Sequence, residues 1–182
     1  GNIGIEVLRQ LAEKNHTITV LSRNSKKNSK LLRSFKGLNI IHGDITSQDD
    51  VNKACLNQDI AIHLAAVIPP LVDEKPELAK KVNIDGTRNL IQGLEQFSPE
   101  CFLIFSSSVT VYGDRLNSPN ISIKDPIQTT KWDKYGQAKI ESEELIQNSS
   151  LNWTIFRLSA IMGIGNHKIS KIMFHVPLDT LM

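Results

Sequence analysis

The stretch Asp59-Ile60-Ala61-Ile62-His63-Leu64 reads as a buried strand, and Cys101-Phe102-Leu103-Ile104-Phe105-Ser106 reads as another. Between them, residues 77–97 carry a long amphipathic helical pattern. Two apolar strands joined by a crossover helix specify a parallel sheet with both faces covered. The alternation continues outward. Upstream, Gly1-Asn2-Ile3-Gly4 leads into a helical stripe at Ile5, Leu8, Leu11 and Ala12. Residues 17–21 read as strand, 30–35 as helix, 38–42 as strand and 48–56 as helix. Downstream, 132–147 read as helix and 153–158 as strand. The whole is a doubly wound, Rossmann-type α/β fold. A helix starting at Gly4 with no strand before it leaves the first, central strand missing. The far end, 172–182, stops within an apolar stretch containing Met173, Phe174, Val176, Leu178 and Leu181. The natural protein is therefore expected to extend beyond both ends.

Composition narrows the function classes. The 182 residues, 40% hydrophobic and 22% charged, suit one soluble domain with a sizeable core. A net charge of +2, with no aromatics interleaved among the lysines, gives no case for nucleic acid. Two cysteines, Cys55 and Cys101, are too few for a disulfide scaffold. No apolar run approaches the roughly 20 residues of a membrane span, and no signal peptide is visible. A cytoplasmic protein without a membrane partner is the default expectation. No His/Cys/Asp/Glu group has metal-ligand spacing, and His63 reads as a packed core histidine.

Several positions carry possible chemistry. Gly1, Asn2, Ile3 and Gly4 open a helix, where free N–H groups and small residues admit a pyrophosphate. An ordinary tight turn reads the same way. Where the next strand ends, a dinucleotide-binding unit selects its ribose. This chain has Ser22-Arg23-Asn24-Ser25-Lys26-Lys27 there, with no acid to accept from a 2′-hydroxyl. Arg23 can fork onto a 2′-phosphate, favouring NADP over NAD; the alternative is a solvated loop arginine. Asp44 and the Ile45 N–H lie where adenine would sit, and Asp44 also suits a turn before a cap at Ser47. Leu64-Ala65-Ala66 ends a strand with small residues over which a cofactor can pass.

Tyr135 and Lys139 stand four apart, so a helix points both to one face. A free phenol titrates near 10, and general-base work near neutrality needs that value lowered by roughly 2–3 units. One ammonium at about 4 Å in bulk water supplies only about 1 kcal/mol, so the site must be partly dehydrated. Lys139 can also hold the nicotinamide ribose. Ser108, ending the run Ser106-Ser107-Ser108, would orient the reacting oxygen toward Tyr135. A surface Tyr and Lys on an amphipathic helix is the competing reading of the pair.

Taken together, these segments resemble the extended short-chain dehydrogenase/reductase family, in its NAD-dependent epimerase/dehydratase branch. Gly1-x-x-Gly4 is similar to the last two glycines of that family's nucleotide loop. Gly43-Asp44, Leu64-Ala65-Ala66, Val82-Asn83-Ile84-Asp85-Gly86-Thr87 and Phe105 to Gly113 resemble its adenine-side, strand-end, helix and serine segments. The resemblance makes Ser108, Tyr135 and Lys139 the catalytic set. It makes Ser106 a cofactor contact and Asn83 a support of the cofactor-side site. It implies a cofactor-binding domain over residues 1–160 and the start of a substrate lobe over 161–182. It further implies a nucleotide-sugar substrate and a homodimer through the two long helices. Val109-Thr110 stands where 4,6-dehydratases carry Asp-Glu, which argues against water elimination. Ser22-Arg23 in place of an acid raises an NADPH-dependent ketone or aldehyde reductase as the alternative. A non-catalytic cofactor-binding protein is the reading from a different class.

Overall fold

The computed structural model describes residues 1–161. Helix α1 (Asn2–Ala12) precedes β1 (Ile18–Ser22), α2 (Lys26–Leu32), β2 (Leu38–His42), α3 (Gln48–Ala54) and β3 (Ile60–His63). Then come α4 (Leu71–Glu74), α5 (Pro76–Lys80), a π-helical turn (Lys81–Asp85) and α6 (Gly86–Phe97). Strand β4 (Phe102–Ser108) runs into a 3-10 turn (Val109–Tyr112), followed by α7 (Lys134–Gln147) and β5 (Asn152–Leu158).

Every strand pairing is parallel. β1 lies beside β2 with Ser22 opposite His42. A second sheet has the order β3-β4-β5, with Ile60 opposite Phe102 and Ser108 opposite Leu158. Carboxyl ends therefore share an edge within each sheet, which is where α/β proteins hold ligands. Among the described residues no strand joins β1 to β3, so the expected central strand is not supplied. The two sheets are tied instead through α3, which packs on β1, β2 and α6. Val51 and Cys55 of α3 meet Ile91 and Leu94 of α6, Leu103 and Phe105 of β4, and Ile146 of α7 in one core. Leu21 and Ile45 pack against that cluster from the side of the first sheet.

The period-two alternation of β4 sorts its residues. Leu103, Phe105 and Ser107 are buried, and Leu103 and Phe105 pack into the core with residues of α6 and α7. Phe102, Ile104, Ser106 and Ser108 take the opposite face. On that face Ile60, Ile62, Phe102 and Phe156 are 38–58% exposed.

The helix expected over 77–97 runs without a gap as α5, the π-helical turn and α6, with right-handed helical backbone at both junctions. Pro76 fixes its first turn, and Asn83 lies in the π-helical turn. At Gly86 a Cβ would stand 2.9 Å from Ile45 Cγ2, so only glycine lets α6 pass that close. Helix α2 starts earlier than expected because Ser25 Oγ accepts the Asn28 N–H at 3.1 Å. Helix α7 starts later because Asp133 Oδ1 accepts the Gly136 N–H at 2.8 Å. The substrate-lobe assignment beyond Ile161, with Met173 through Leu181, lies outside the described residues.

Leu103 is fully buried at the centre of this core. Leu103→Ala is expected to lower unfolding free energy by about 2–5 kcal/mol, measured by urea denaturation. A change below about 1 kcal/mol would show that the β4–α6–α7 core does not carry the fold.

Candidate active site

Helix α7 presents a polar stripe to the sheet. Gly136, Ala138, Lys139, Ser142, Glu143 and Ile146 are its buried residues, at three- and four-residue spacing. Lys139 is only 3% exposed. Its Nζ donates to the Ser106 carbonyl at 2.5 Å and lies 4.5 Å from the Phe105 ring centroid. The Tyr135 ring centroid is 5.7 Å from the same ammonium. Burial pulls Lys139 down to about 8, against the opposing charge of Glu143. Most of the Lys139 population thus stays protonated at neutral pH.

Tyr135 is partly buried on the same face. Burial, and then the charge of Asp133, holds its phenol above the ordinary value in the protein by itself. The dehydration that strengthens a Lys139–Tyr135 attraction also penalises the phenolate, and here the penalty is larger. Ser108 ends β4 with its Oγ accepting the Thr110 N–H at 3.2 Å, while Thr110 Oγ1 is buried without a partner.

Ser107, the middle serine, faces the other way and donates to Glu143 Oε1. Glu143 is 1% exposed and receives Arg157 from β5 in a forked pair, Nη2 to Oε2 at 2.7 Å and Nε to Oε1 at 3.1 Å. Arg157 Nη1 donates to Tyr112 Oη at 2.6 Å. Sequence reasoning passed over Ser107, Glu143, Arg157 and the Tyr112 hydroxyl as site residues. The available signal was Glu143, one further turn along the Tyr135–Lys139 face.

Beneath the site lies a second polar chain. Asn83 closes both hydrogen bonds on Val67, its Oδ1 accepting at 2.7 Å and its Nδ2 donating at 2.9 Å. Its amide is thus committed to the segment after Ala66. The Thr87 hydroxyl donates to the Asn83 carbonyl at 2.6 Å, so His63 Nε2, 2.9 Å away, must be the donor to Thr87. Burial pushes His63 down to about 3, helped by Lys139, in keeping with its reading as a core histidine.

The remaining expected residues gather at the strand ends. Gly4 lies beside Leu64, whose Cδ1 is 3.8 Å from the place a Gly4 Cβ would occupy. No side chain caps α1 and its first turn carries no acid. The Asn2, Ile3 and Gly4 amides have no intrahelical acceptor, an arrangement that fits a pyrophosphate. Ser22 and Gly43 are joined by a backbone bond of 3.1 Å. Asp44 Oδ1 accepts from the Thr46 N–H and hydroxyl, so the turn reading holds, while Asp44 Oδ2 and the Ile45 N–H have no partner among the described residues. The Arg23 side chain is exposed and unpaired among the described residues, and its carbonyl accepts from Asn28. Ser106 Oγ donates to the His63 carbonyl at 3.1 Å, tying β4 to β3. These residues fit a dinucleotide: an uncapped helix start, small residues at Ala65 and Ala66, and an ammonium with one of its three protons engaged.

Fold and strand-end geometry together define a Rossmann-like α/β protein. Within that class the chain belongs to the NAD dependent epimerase/dehydratase family, whose sequence model matches residues 1–177. It is 25% identical over 182 residues to the sterol-4-alpha-carboxylate 3-dehydrogenase (decarboxylating) of Schizosaccharomyces pombe, covering 97% of this chain and 52% of that protein. It is 31% identical over 189 residues to UDP-glucose 4-epimerase 3 of Oryza sativa subsp. japonica, covering 94% and 49%. Among solved structures, the UDP-Glc/GlcNAc 4-epimerase of Campylobacter jejuni matches with a TM-score of 0.73 and 27% identity, covering 86% of this chain and 50% of that one. The chain spans about half the length of these relatives. No helix among the described residues is long and apolar enough to cross a membrane.

His63 supplies a test of the buried polar chain. Its folded value of about 3 lies below the ordinary 6.5 or so, so the unfolded chain binds the proton more readily. Stability is expected to be full above pH 6.5 and to fall as pH drops toward 3, by up to about 5 kcal/mol from this group. His63→Gln, which keeps a donor for Thr87, should flatten that slope in denaturation curves across the range. Equal slopes in both proteins would contradict a buried neutral His63.

Proposed function

We propose that the protein is an NAD(P)-dependent oxidoreductase or epimerase that acts on a nucleotide sugar through Ser108, Tyr135 and Lys139. The observation that carries this reading is the burial of Lys139 on the Tyr135 face of α7, its ammonium held by the carbonyl of Ser106 two residues from Ser108. A solvated Tyr/Lys pair on a surface helix would not bury its ammonium. When bound, the dinucleotide accepts or returns a hydride and, when oxidised, places a positive charge near the phenol. Ser108 Oγ orients the substrate oxygen, and Tyr135 Oη takes its proton or gives one back. Lys139 holds the ribose hydroxyls with the protons not spent on Ser106. Two opposite unit charges about 6 Å apart attract by about 0.7 kcal/mol in bulk water and about 3 kcal/mol at an effective dielectric of 20, which is why burial matters.

The cofactor assigned is NADP. Arg23, just after the end of β1, is exposed and unpaired among the described residues, with no acid in the segment 22–27. Lys26 and Lys30 of α2, with Arg33 just after it, line the adjoining cleft and add positive charge. The same feature favours a second reading, an NADPH-dependent ketone or aldehyde reductase, and the sterol dehydrogenase relative widens its substrates to sterol-derived ketones. Net NADPH consumption marks the reductase, and none marks the epimerase. A homodimer through the two long helices and a cytoplasmic setting complete the reading.

Two substitutions test it in the full-length protein. Tyr135→Phe is expected to lower kcat by at least about a hundredfold with cofactor affinity unchanged. Retained turnover would remove Tyr135 from the chemistry. Arg23→Ala is expected to weaken NADPH about tenfold in calorimetric titration while leaving NADH unchanged. Equal affinities for the two cofactors, indifferent to the substitution, would overturn the NADP assignment.

A further inference from the structure

Glu143 occupies an unusual place. It follows Lys139 by one helical turn on the buried face of α7, yet it is bonded to neither Lys139 nor Tyr135. Its two oxygens are filled from the sheet instead. Ser107 of β4 and the Arg157 fork of β5 both end there. Ser107 sits between Ser106, whose carbonyl holds Lys139, and Ser108. Arg157 continues to Tyr112, at the end of the turn that follows Ser108. One carboxylate thus fastens the helix bearing Tyr135 and Lys139 to the strand end bearing Ser108.

We infer that Glu143 is a positioning residue of the Ser108–Tyr135–Lys139 site, acting through Ser107 and Arg157 on the strand ends and through its charge on Lys139. The inference rests on the proposed function for its catalytic meaning, but its physical content can be measured without turnover. A pair kept for stability alone explains this placement poorly, since apolar residues of similar volume often replace buried ion pairs without loss. The surroundings of Lys139 leave Glu143 as the carboxylate acting on it. His63 from β3 is neutral, Tyr135 is protonated, Arg157 is spent against Glu143, and Asp133 acts on Tyr135. Removing the Glu143 charge leaves the buried ammonium without its counter-charge and facing an unbalanced guanidinium, and both changes favour the neutral amine.

The test is a pH titration of Lys139 by 13Cε-lysine NMR in the full-length protein without cofactor or substrate, the resonance assigned by its loss in Lys139→Arg. In Glu143→Gln, nearly the same shape, the midpoint near 8 is expected to fall by about one pH unit. In Glu143→Asp, which keeps the charge, it should return toward the wild-type value. An unchanged midpoint in folded Glu143→Gln would overturn the inference. Should that variant fail to fold, Ser107→Ala removes only the β4 tether. It is expected to shift the Lys139 resonance and to lower kcat about fivefold with the cofactor KM unchanged. A wild-type resonance and wild-type kcat there would equally overturn it. Absence of turnover in the wild type refutes the proposed reaction and leaves the Lys139 titration as an independent result.

Discussion

A lysine ammonium taken almost wholly out of water sets the terms for this half of the molecule. Desolvating an isolated ammonium costs several kcal/mol even after the surroundings relax, so Lys139 persists there only because other groups meet it. The Ser106 carbonyl accepts one hydrogen bond, the Phe105 ring offers its face, and Glu143 supplies the opposing charge. Each partner then needs support of its own. Glu143 draws in Ser107 and Arg157, and Arg157 draws in Tyr112. The polar groups spread from one helix to two strand ends and a turn, and every link fixes the position of the next.

That network explains why the two ends of β4 differ. Leu103 and Phe105 give the helix-facing side apolar burial, while Ser107 on the same side reaches the carboxylate of α7. Ser106 and Ser108 take the other side by alternation. Three consecutive serines therefore have three roles in the fold: a tie to β3, a tie to α7, and the cap of the turn after the strand. Breaking the Glu143–Arg157 pair from one side would strand a buried charge, which typically costs about 3–5 kcal/mol.

The strands, their parallel direction and the helices between them were legible because short apolar runs bounded by glycine and polar residues leave few other readings. The face shared by Tyr135 and Lys139 was legible from helical spacing alone. The π-helical turn was not, because it depends on the Asn83 amide pairing with Val67 and on Gly86 passing against Ile45, contacts remote in sequence. Glu143 escaped attention for a related reason: a carboxylate on a mostly polar helix reads as solvated until its partner on β5 is seen. The lysine alone was read as too weak to activate Tyr135, and in the protein by itself burial and Asp133 hold the phenol above its ordinary value.

The account turns on whether a dinucleotide and the Tyr135–Lys139 pair share one site at the strand ends. The most direct measurement is a crystal structure of the full-length protein with NADP bound. The account predicts the pyrophosphate against the Asn2–Gly4 amides, the 2′-phosphate on Arg23, and the nicotinamide ribose within hydrogen-bond distance of Lys139 Nζ. A dinucleotide bound elsewhere, or bound with Lys139 in contact with Ser106 alone, would contradict it.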